Sequence, residues 1–153
     1  MDYIAQYENF SEFPAFEWIE NNLNAGSGLN GYTDWYLPAR DELELVYRHF
    51  KPTTQSNNDG TRTSSGFGGD GATYGTNNSS DPSGSGYTTS NPSQTGITSF
   101  QGSNSDALED IYYWSSTERD ASYSWTPTFY TGYQSYISKD GSRRVRAVRR
   151  IAL

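Results

Sequence analysis

The sequence has 153 residues, which predicts a single domain spanning 1–153 with a real hydrophobic core. Its net charge of −7 argues against nucleic acid as the main partner, because nucleic-acid binding needs an extended cationic face. The chain has no cysteine, which excludes disulfides, thiolate catalysis and zinc–thiolate sites.

Hydropathy and aromatic content together predict a compact core diluted by a polar insertion. Apolar residues make up 33% of the chain and the mean hydropathy is −0.85, both low for a globular protein. The 13 tyrosines and 4 tryptophans are nevertheless too many for a disordered chain. No apolar run approaches the roughly 20 residues of a membrane span. Met1-Asp2-Tyr3 does not begin a signal peptide, so we expect a soluble chain that is not secreted by that route.

The first predicted helix lies near residues 14–24. Phe16, Ile19 and Leu23 recur at helical spacing after Pro14, which suits the first helical turn. The preceding twelve residues are acidic and aromatic without a clear period, and their pattern leaves open whether they form a short strand or lie outside the domain.

A second helix is predicted at about 38–50, where Pro38 follows an extended aromatic segment. Asp41 and Glu42 fall in its first turn and Arg48 in its last, as the helix dipole favours. Its apolar stripe consists of Leu43, Val46, Tyr47 and Phe50.

Residues 52–106 are rich in Gly, Ser, Thr and Asn, a composition that cannot offset chain entropy by itself. A disordered linker is one interpretation. We favour a partly ordered surface insertion, because a loop of this length inside a compact domain is usually functional. Its scattered apolar residues would anchor it to the body: Phe67, Tyr74, Tyr87, Ile97 and Phe100.

The C-terminal third is predicted to be an antiparallel meander. Bulky aromatics followed by small hydroxyls at 112–118 indicate a buried strand that opens into a polar loop. In the next run Trp125 and Phe129 fall at one set of alternating positions and Thr126 at the other, which predicts a strand with one buried face. Pro127 cannot donate a ladder hydrogen bond, so this strand should be an edge strand or a bulged one.

A returning strand is predicted at 133–139, followed by a hairpin turn at Asp140-Gly141. The turn would lead into a final strand of alternating Val and Arg residues at 144–149. These arginines suggest an anion or glycosaminoglycan patch. The alternative that we favour is that Arg144, Arg146 and Arg149 pair with helix carboxylates such as Glu42 or Glu44.

Three further patterns have simpler explanations than catalysis or metal binding. His49, the only histidine, falls in the last turn of a helix, where a capping or surface role is expected. The GxGxxG match at 66–71 lacks a preceding strand and a following helix, so it indicates a flexible loop. Asp59, Asp70 and Asp81 lack EF-hand spacing and are expected to be solvated turn residues. We therefore predict no catalytic residue, no metal site and no cofactor.

A candidate binding surface follows from composition alone. Exposed tyrosines supply contact area at small entropic cost, and Ser, Thr and Asp add adaptable hydrogen bonds, as in antibody paratopes. The alternative is an ordinary solvated sheet face with tyrosines in the core. The predicted ligand-binding residues are Arg119, Asp120, Ser122, Tyr123, Thr126, Thr128, Tyr130, Tyr133, Ser135, Tyr136, Ser138 and Asp140.

Several motifs together resemble a known family, the C-terminal domain of the Legionella collagen-like protein. The first is Gly31 to Pro38 with the Asp-Glu-Leu of 41–43, and the second is Tyr113 to Glu118. Further matching residues are Trp125, Phe129, Gly132, Lys139 and the Val-Arg-Ala-Val-Arg run of 145–149. The resemblance covers 14–51 and 107–151 and leaves the insertion unmatched.

The resemblance implies an α+β, C-type-lectin-like fold, with two helices packed on a small twisted antiparallel sheet and loops presented on one face. Similar domains occur in phage tail-fibre adhesins and in variable proteins of diversity-generating retroelements. The calcium-binding motifs of C-type lectins are missing from the sequence. The cysteines of the formylglycine-generating enzymes are missing too, so neither activity is carried over.

Retroelement diversification alters Asn codons in ways that never yield Lys, Gln, Glu, Trp or Met. Between Glu118 and Arg144 only Trp125, Gln134 and Lys139 belong to that forbidden set. Chance would leave about five, from typical residue usage. The count gives weak support to a diversified, hypervariable surface.

The resemblance and the composition predict a non-catalytic receptor-binding domain of a phage tail fibre or adhesin. Its expected partner is a cell-surface protein or glycan on the host, without nucleic acid or membrane insertion, and the family resemblance implies a homotrimer. The expected location is the virion or the extracellular surface. The alternatives are a structural virion decoration protein and a glycan hydrolase using Glu118 and Asp120 as its carboxylate pair.

Overall fold

The computed structural model describes residues 13–62, 71–77 and 83–151. Its helices are α1 (Pro14–Ile19), which continues as a π-helical turn (Glu20–Asn24), α2 (Arg40–Phe50) and a 3₁₀ turn (Thr98–Phe100). Its strands are β1 (Tyr123–Pro127) and β2 (Gln134–Ser138). The described chain is therefore a small α+β protein, with two α-helices and a two-stranded antiparallel sheet, as the sequence predicted for its class.

Two compact units are present. The terminal unit comprises the described parts of Met1–Pro38 and Val145–Leu153, and the central unit comprises those of Ala39–Arg144. The prediction for residues 1–12 lies outside the described residues, as does most of the GxGxxG match.

In the terminal unit, the predicted helix near 14–24 is present, with Pro14 in its first turn and Ile19 buried. Its end is fixed by Asn24, whose side chain accepts the N–H of Trp35 at 3.0 Å and donates to the carbonyl of Trp35 at 2.9 Å. An amide that satisfies both backbone groups of another residue acts as a short piece of β-ladder. A single antiparallel bridge joins Tyr36 to Val148.

In the central unit, helix α2 begins at Arg40 rather than at residue 38 because its first N–H groups have side-chain acceptors. Glu42 Oε2 accepts the N–H of Ala39 at 2.8 Å, and Thr117 Oγ1 accepts that of Arg40 at 2.9 Å. The apolar stripe is confirmed, since Leu43 and Tyr47 are buried and Val46 and Phe50 pack against the same core.

The core of the central unit is largely aromatic. Phe129 lies edge-to-face with Tyr113 at 5.0 Å and with Tyr47 at 5.8 Å between ring centroids. Such geometry adds about 0.5–1.5 kcal/mol per pair beyond area burial. The buried cluster consists of Leu43, Tyr47, Tyr74, Tyr87, Leu108, Tyr113 and Phe129.

Two of these core residues, Tyr74 and Tyr87, come from the 52–106 segment. Both are almost fully buried, and Phe100 stacks on Phe50 at 4.6 Å. The predicted anchoring of this segment by Tyr74, Tyr87 and Phe100 is therefore confirmed, and the two tyrosines are part of the core itself.

Buried polar groups fix the same segment to helix α2 and to β2. Arg62 Nη1 lies 3.1 Å from Glu44 Oε2 and 3.1 Å from Gln134 Oε1, and Gln134 Nε2 donates to Glu44 Oε2 at 3.0 Å. The N–H of Gly75 also donates to Glu44. Burial raises the pKa of Glu44, while Arg62 acts in the opposite direction.

A buried lysine provides a second attachment. The ammonium of Lys51 donates to the carbonyl of Gln55, to Asn57 Oδ1 at 2.8 Å and to the carbonyl of Pro92 at 3.3 Å. Tyr47 also donates its hydroxyl to Asn57 Oδ1, at 2.6 Å. Three convergent oxygens take the three protons of the ammonium, which compensates for its removal from water.

The sheet pairs β1 and β2 so that Trp125 lies opposite Tyr136 and Pro127 opposite Gln134. Pro127 stands at the end of β1, where its missing donor is tolerated. The other edge of β1 is bonded to the 113–117 segment, with the N–H of Tyr113 donating to the carbonyl of Pro127 at 3.0 Å.

Two sequence predictions about this region are wrong. Residues 124–129 are buried at both parities, because α2 packs against β1 and small threonines are accommodated inside. The Val/Arg run adds no third strand to the described sheet. The turn at Asp140 does follow β2, but Arg144 then makes only an isolated parallel bridge to Tyr113.

Candidate binding surface

The loop before β1 is held in shape by Asp120. Its Oδ1 accepts the N–H groups of Ser122 at 2.9 Å and Tyr123 at 3.0 Å. The carbonyl of Tyr123 in turn accepts the N–H groups of Arg119 and Asp120. Aspartate is favoured in such turns because its carboxylate bonds to the backbone two residues further on.

Three aromatic side chains and one guanidinium gather beside this loop. We call Arg119, Tyr123, Trp125 and Tyr136 the Arg119 cluster. The guanidinium carbon of Arg119 lies 3.8 Å from the ring centroid of Tyr136 and 5.8 Å from that of Tyr123. Tyr136 also meets Tyr123 and Trp125 edge-on, at 5.6 and 5.9 Å.

The strand register explains this gathering. Tyr123 and Trp125 are two residues apart in β1 and therefore share a face, and Tyr136 is the cross-strand partner of Trp125. The Trp125 ring is covered in turn by Arg40 of α2, at 4.9 Å from the guanidinium carbon. Stacking of this kind is worth about 0.5–2 kcal/mol, depending on exposure.

Charged groups around the cluster are paired. Lys139 Nζ lies 2.6 Å from Glu118 Oε1, and Arg119 Nη1 lies 3.7 Å from Asp120 Oδ2. Asp140 Oδ1 accepts the hydroxyl of Ser138 at 2.6 Å, and this hydrogen bond lowers the pKa of Asp140. The surface at this end of the hairpin is therefore polar, aromatic and ordered by its own contacts.

The structure thus brings together a subset of the predicted binding residues at one end of the hairpin. Tyr123 is 37% exposed, and Asp120, Ser122 and Asp140 are also exposed. The complete subset is Arg119, Asp120, Ser122, Tyr123, Tyr136, Ser138 and Asp140.

Two predicted tyrosines lie at the opposite end. Tyr130 is 40% exposed, in the connection that follows β1, and its carbonyl accepts the Thr53 hydroxyl at 3.3 Å. Tyr133 is partly buried and stacks on Tyr74 at 5.9 Å. Ser135 lies half-buried within β2, opposite Thr126.

The expected exposure of Thr126 and Thr128 is corrected by the structure. Thr126 is fully buried and Thr128 is 7% exposed. Thr128 Oγ1 accepts the N–H of Tyr130 at 3.2 Å, whereas Thr126 Oγ1 has no hydrogen-bond partner among the described residues. An alternating sequence pattern shows which side chains are polar, but it does not determine which are buried. Threonine is small enough to be enclosed on either face of a strand.

The remaining sequence candidates lie elsewhere. His49 is exposed in the last turn of α2, and Asp59 is exposed in a loop. Asp70 and Asp81 lie outside the described residues. In the part of the chain that the structure covers, no three His, Asp or Glu side chains form a possible metal site.

The C-terminal arginines find other partners than the predicted helix carboxylates. Arg144 lies 3.0 Å from Glu109. Arg149 bonds Asp34 at 2.9 Å through Nε, which lowers the pKa of Asp34, and stacks over Tyr32 at 3.6 Å. The expected pairing with Glu42 or Glu44 is therefore wrong for Arg144 and Arg149. The sequence around each arginine does not indicate these partners, because they are distant in the chain.

The fold and this surface define a small α+β domain with a polar, tyrosine-rich hairpin. A family model, the Lcl C-terminal domain, matches residues 6–149. The chain belongs to the Lcl C-terminal domain family, which confirms the resemblance found in the sequence. The match spans the 52–106 segment as well, and none of the curated proteins matches the chain significantly. Neither helix of the described residues has the length and apolar character needed to cross a bilayer.

Proposed function

We propose that this chain is a non-catalytic ligand-binding domain of C-type-lectin-like fold whose receptor site is the hairpin end around the Arg119 cluster. The observation that carries the proposal is the exposed Tyr123 ring, which lies 5.8 Å from the guanidinium carbon of Arg119 and packs perpendicular to the Tyr136 ring at 5.6 Å. An aromatic side chain fixed before contact loses little entropy on binding, which is how tyrosine-rich paratopes gain affinity.

The biological setting we propose is the tip of a phage tail fibre or a related adhesin, located on the virion or an extracellular surface. The partner would be a cell-surface protein or glycan. A homotrimer would present three such sites, and multivalency would compensate for weak single contacts. If a retroelement diversifies this protein, the exposed positions Asp120, Ser122, Tyr123 and Asp140 are the ones where variation changes the contact surface.

The contacts of the two loop carboxylates support a binding role over hydrolysis. A retaining or inverting glycosidase needs one carboxyl group that is protonated and free to donate. Glu118 is paired with Lys139, and Asp120 is occupied by two backbone N–H groups. Both carboxylates are therefore already engaged in contacts within the chain.

Binding to a panel of bacterial cells and a glycan array tests the proposal, with Tyr123→Ala compared with Tyr130→Ala. Both replaced tyrosines are similarly exposed, but only Tyr123 belongs to the cluster. We expect Tyr123→Ala to weaken binding by about tenfold or more, as for an interface hot spot, and Tyr130→Ala to bind like wild type.

The reverse pattern would place the receptor site at the opposite end of the hairpin and refute the assignment made here. A virion decoration protein, the main alternative, would bind no receptor and would tolerate both changes. Turnover of any glycan that disappears in Glu118→Gln would establish the hydrolase alternative instead.

A further inference from the structure

A shallow groove of about 450 Å³ lies in the central unit and shares no residue with the Arg119 cluster. It is lined by Ile111, Tyr112, Ser142, Arg143 and Arg144. Its volume falls within the roughly 300–1,000 Å³ of ligand sites, enough for one or two side chains of a partner.

The two sides of the groove come from segments with fixed backbones. The carbonyl of Ile111 accepts the N–H of Phe129 at 3.1 Å, and the carbonyl of Arg144 accepts that of Trp114 at 2.9 Å. Ile111 on one side and Arg144 on the other are therefore held by backbone hydrogen bonds. Ser142 and Arg143 lie between the turn after β2 and Arg144.

The chemistry of the two sides differs. Ile111 contributes an apolar surface that is 37% exposed, and Tyr112 is half-buried beside it. The opposite side carries two exposed guanidinium groups and the Ser142 hydroxyl. An apolar side facing a cationic side suits an amphiphilic ligand with one negative charge.

The charge of Arg143 is not neutralised within the described chain. Arg144 is paired with Glu109, but the described residues place no carboxylate in an ion pair with Arg143. Arg143 Nη1 donates only to the carbonyl of Ser142, at 2.5 Å. This exposed guanidinium shares the groove with the apolar surface of Ile111.

We propose that the groove binds an acidic side chain of an extended peptide, with its carboxylate on Arg143 and a neighbouring aliphatic side chain against Ile111. An arginine fork is suited to carboxylates because it donates two parallel hydrogen bonds. The exposed aliphatic surface of Ile111 suits the aliphatic side chain of a peptide, whereas a sugar would need an exposed aromatic face, and Tyr112, the aromatic residue of the lining, is half-buried. This inference does not depend on the receptor site proposed above.

Titration of the ¹⁵N-labelled full chain with short capped peptides tests the groove by NMR. One peptide carries adjacent glutamate and leucine, and its matched control carries glutamine and leucine. We expect shifts at the groove residues only with the acidic peptide. Arg143→Ala should weaken that binding by at least about tenfold, the effect of one charged hydrogen-bonded pair. Arg150→Ala removes the same charge from the terminal unit and should leave binding unchanged.

Several results would overturn the proposal. Equal shifts with both peptides would show that the carboxylate is not recognised. Equal affinity of Arg143→Ala and wild type would remove Arg143 from the site, and shifts confined to other residues would remove the groove. Glucuronate that binds in the groove where the acidic peptide fails would identify an acidic-sugar site in its place. Amide spectra of each variant establish that it remains folded.

Discussion

At the residue scale, the Lys51 side chain is a buried cation whose three hydrogen bonds all go to neutral oxygens. Its ammonium satisfies the carbonyls of Gln55 and Pro92 and the Asn57 side chain, although it has no ion-pair partner within the described chain. Burial lowers the pKa of Lys51, so the charged form is held by these hydrogen bonds against the cost of desolvation. Nothing in the sequence pattern predicts this role, because a lysine at the end of an amphipathic helix is normally solvated.

We expect Lys51→Met to lower the free energy of unfolding by about 1–3 kcal/mol, because the carbonyl of Gln55 loses its ammonium donor and the Asn57 and Pro92 oxygens each keep only one other donor. Urea denaturation measures the change. Lys139→Met is the matched control, since its ion pair with Glu118 lies at the surface and is worth about 0–1 kcal/mol. A Lys51→Met variant as stable as this control would show that water or neighbouring groups replace the ammonium.

At the element scale, the sequence predicted helix α2, both strands and the turn after β2, since each follows from local periodicity and turn chemistry. It failed where partners are remote. The final Val/Arg run alternates like a strand, yet an alternating pattern does not indicate whether another strand lies beside it to pair with. Similarly, the burial of Thr126 depends on what covers β1, and the binding surface is consequently smaller than the predicted set.

The start of α2 shows such a remote effect. Thr117 Oγ1 accepts the N–H of Arg40 from a distant loop and thus acts as an N-terminal cap that the local sequence lacks. We expect Thr117→Val to reduce stability by about 1 kcal/mol, the usual cost of a lost cap. Urea denaturation provides the test. Thr53→Val also removes a hydroxyl hydrogen bond but leaves the helix intact, so it should cost less.

At the scale of the whole molecule, the aromatic core dictates how stability responds to alkaline pH. Burial raises the pKa of Tyr47 and Tyr87 above the ordinary value of 10.0. Above pH 10 the unfolded chain therefore loses these protons first and binds fewer than the folded one. Stability that is fully present below pH 10 is then lost as the pH rises.

We expect the urea midpoint to fall steeply above pH 10 and to fall less steeply in Tyr87→Phe. The Tyr87 hydroxyl makes only a 3.5 Å contact with the carbonyl of Glu44, so this variant should fold normally. Tyr130→Phe, at an exposed position, should keep the wild-type slope. Identical slopes in all three proteins would mean that the buried tyrosines do not govern alkaline unfolding.

The core also explains what the sequence could not reveal about 52–106. Its composition predicted a polar segment, which is correct, but two tyrosines and one arginine decide its place in the fold. Tyr74, Tyr87 and Arg62 are each buried against residues far away in the chain. The sequence identified the two tyrosines as anchors, but the burial of Arg62 depends on Glu44 and Gln134, which are distant in the chain.

The side chains of Glu44, Arg62 and Gln134 form one hydrogen-bonded group that connects α2, the 52–106 segment and β2. An engineer who wished to transplant the hairpin onto a relative would have to move all three pieces together. A graft that moved Gln134 without Glu44 and Arg62 would leave its side-chain amide without these two hydrogen-bond partners. Gln134 at the start of β2 is tied to the core by this hydrogen-bonded group, whereas Tyr136, two residues further on, belongs to the Arg119 cluster. Under the binding role proposed above, the boundary between the constant part of the fold and the variable surface would run through β2.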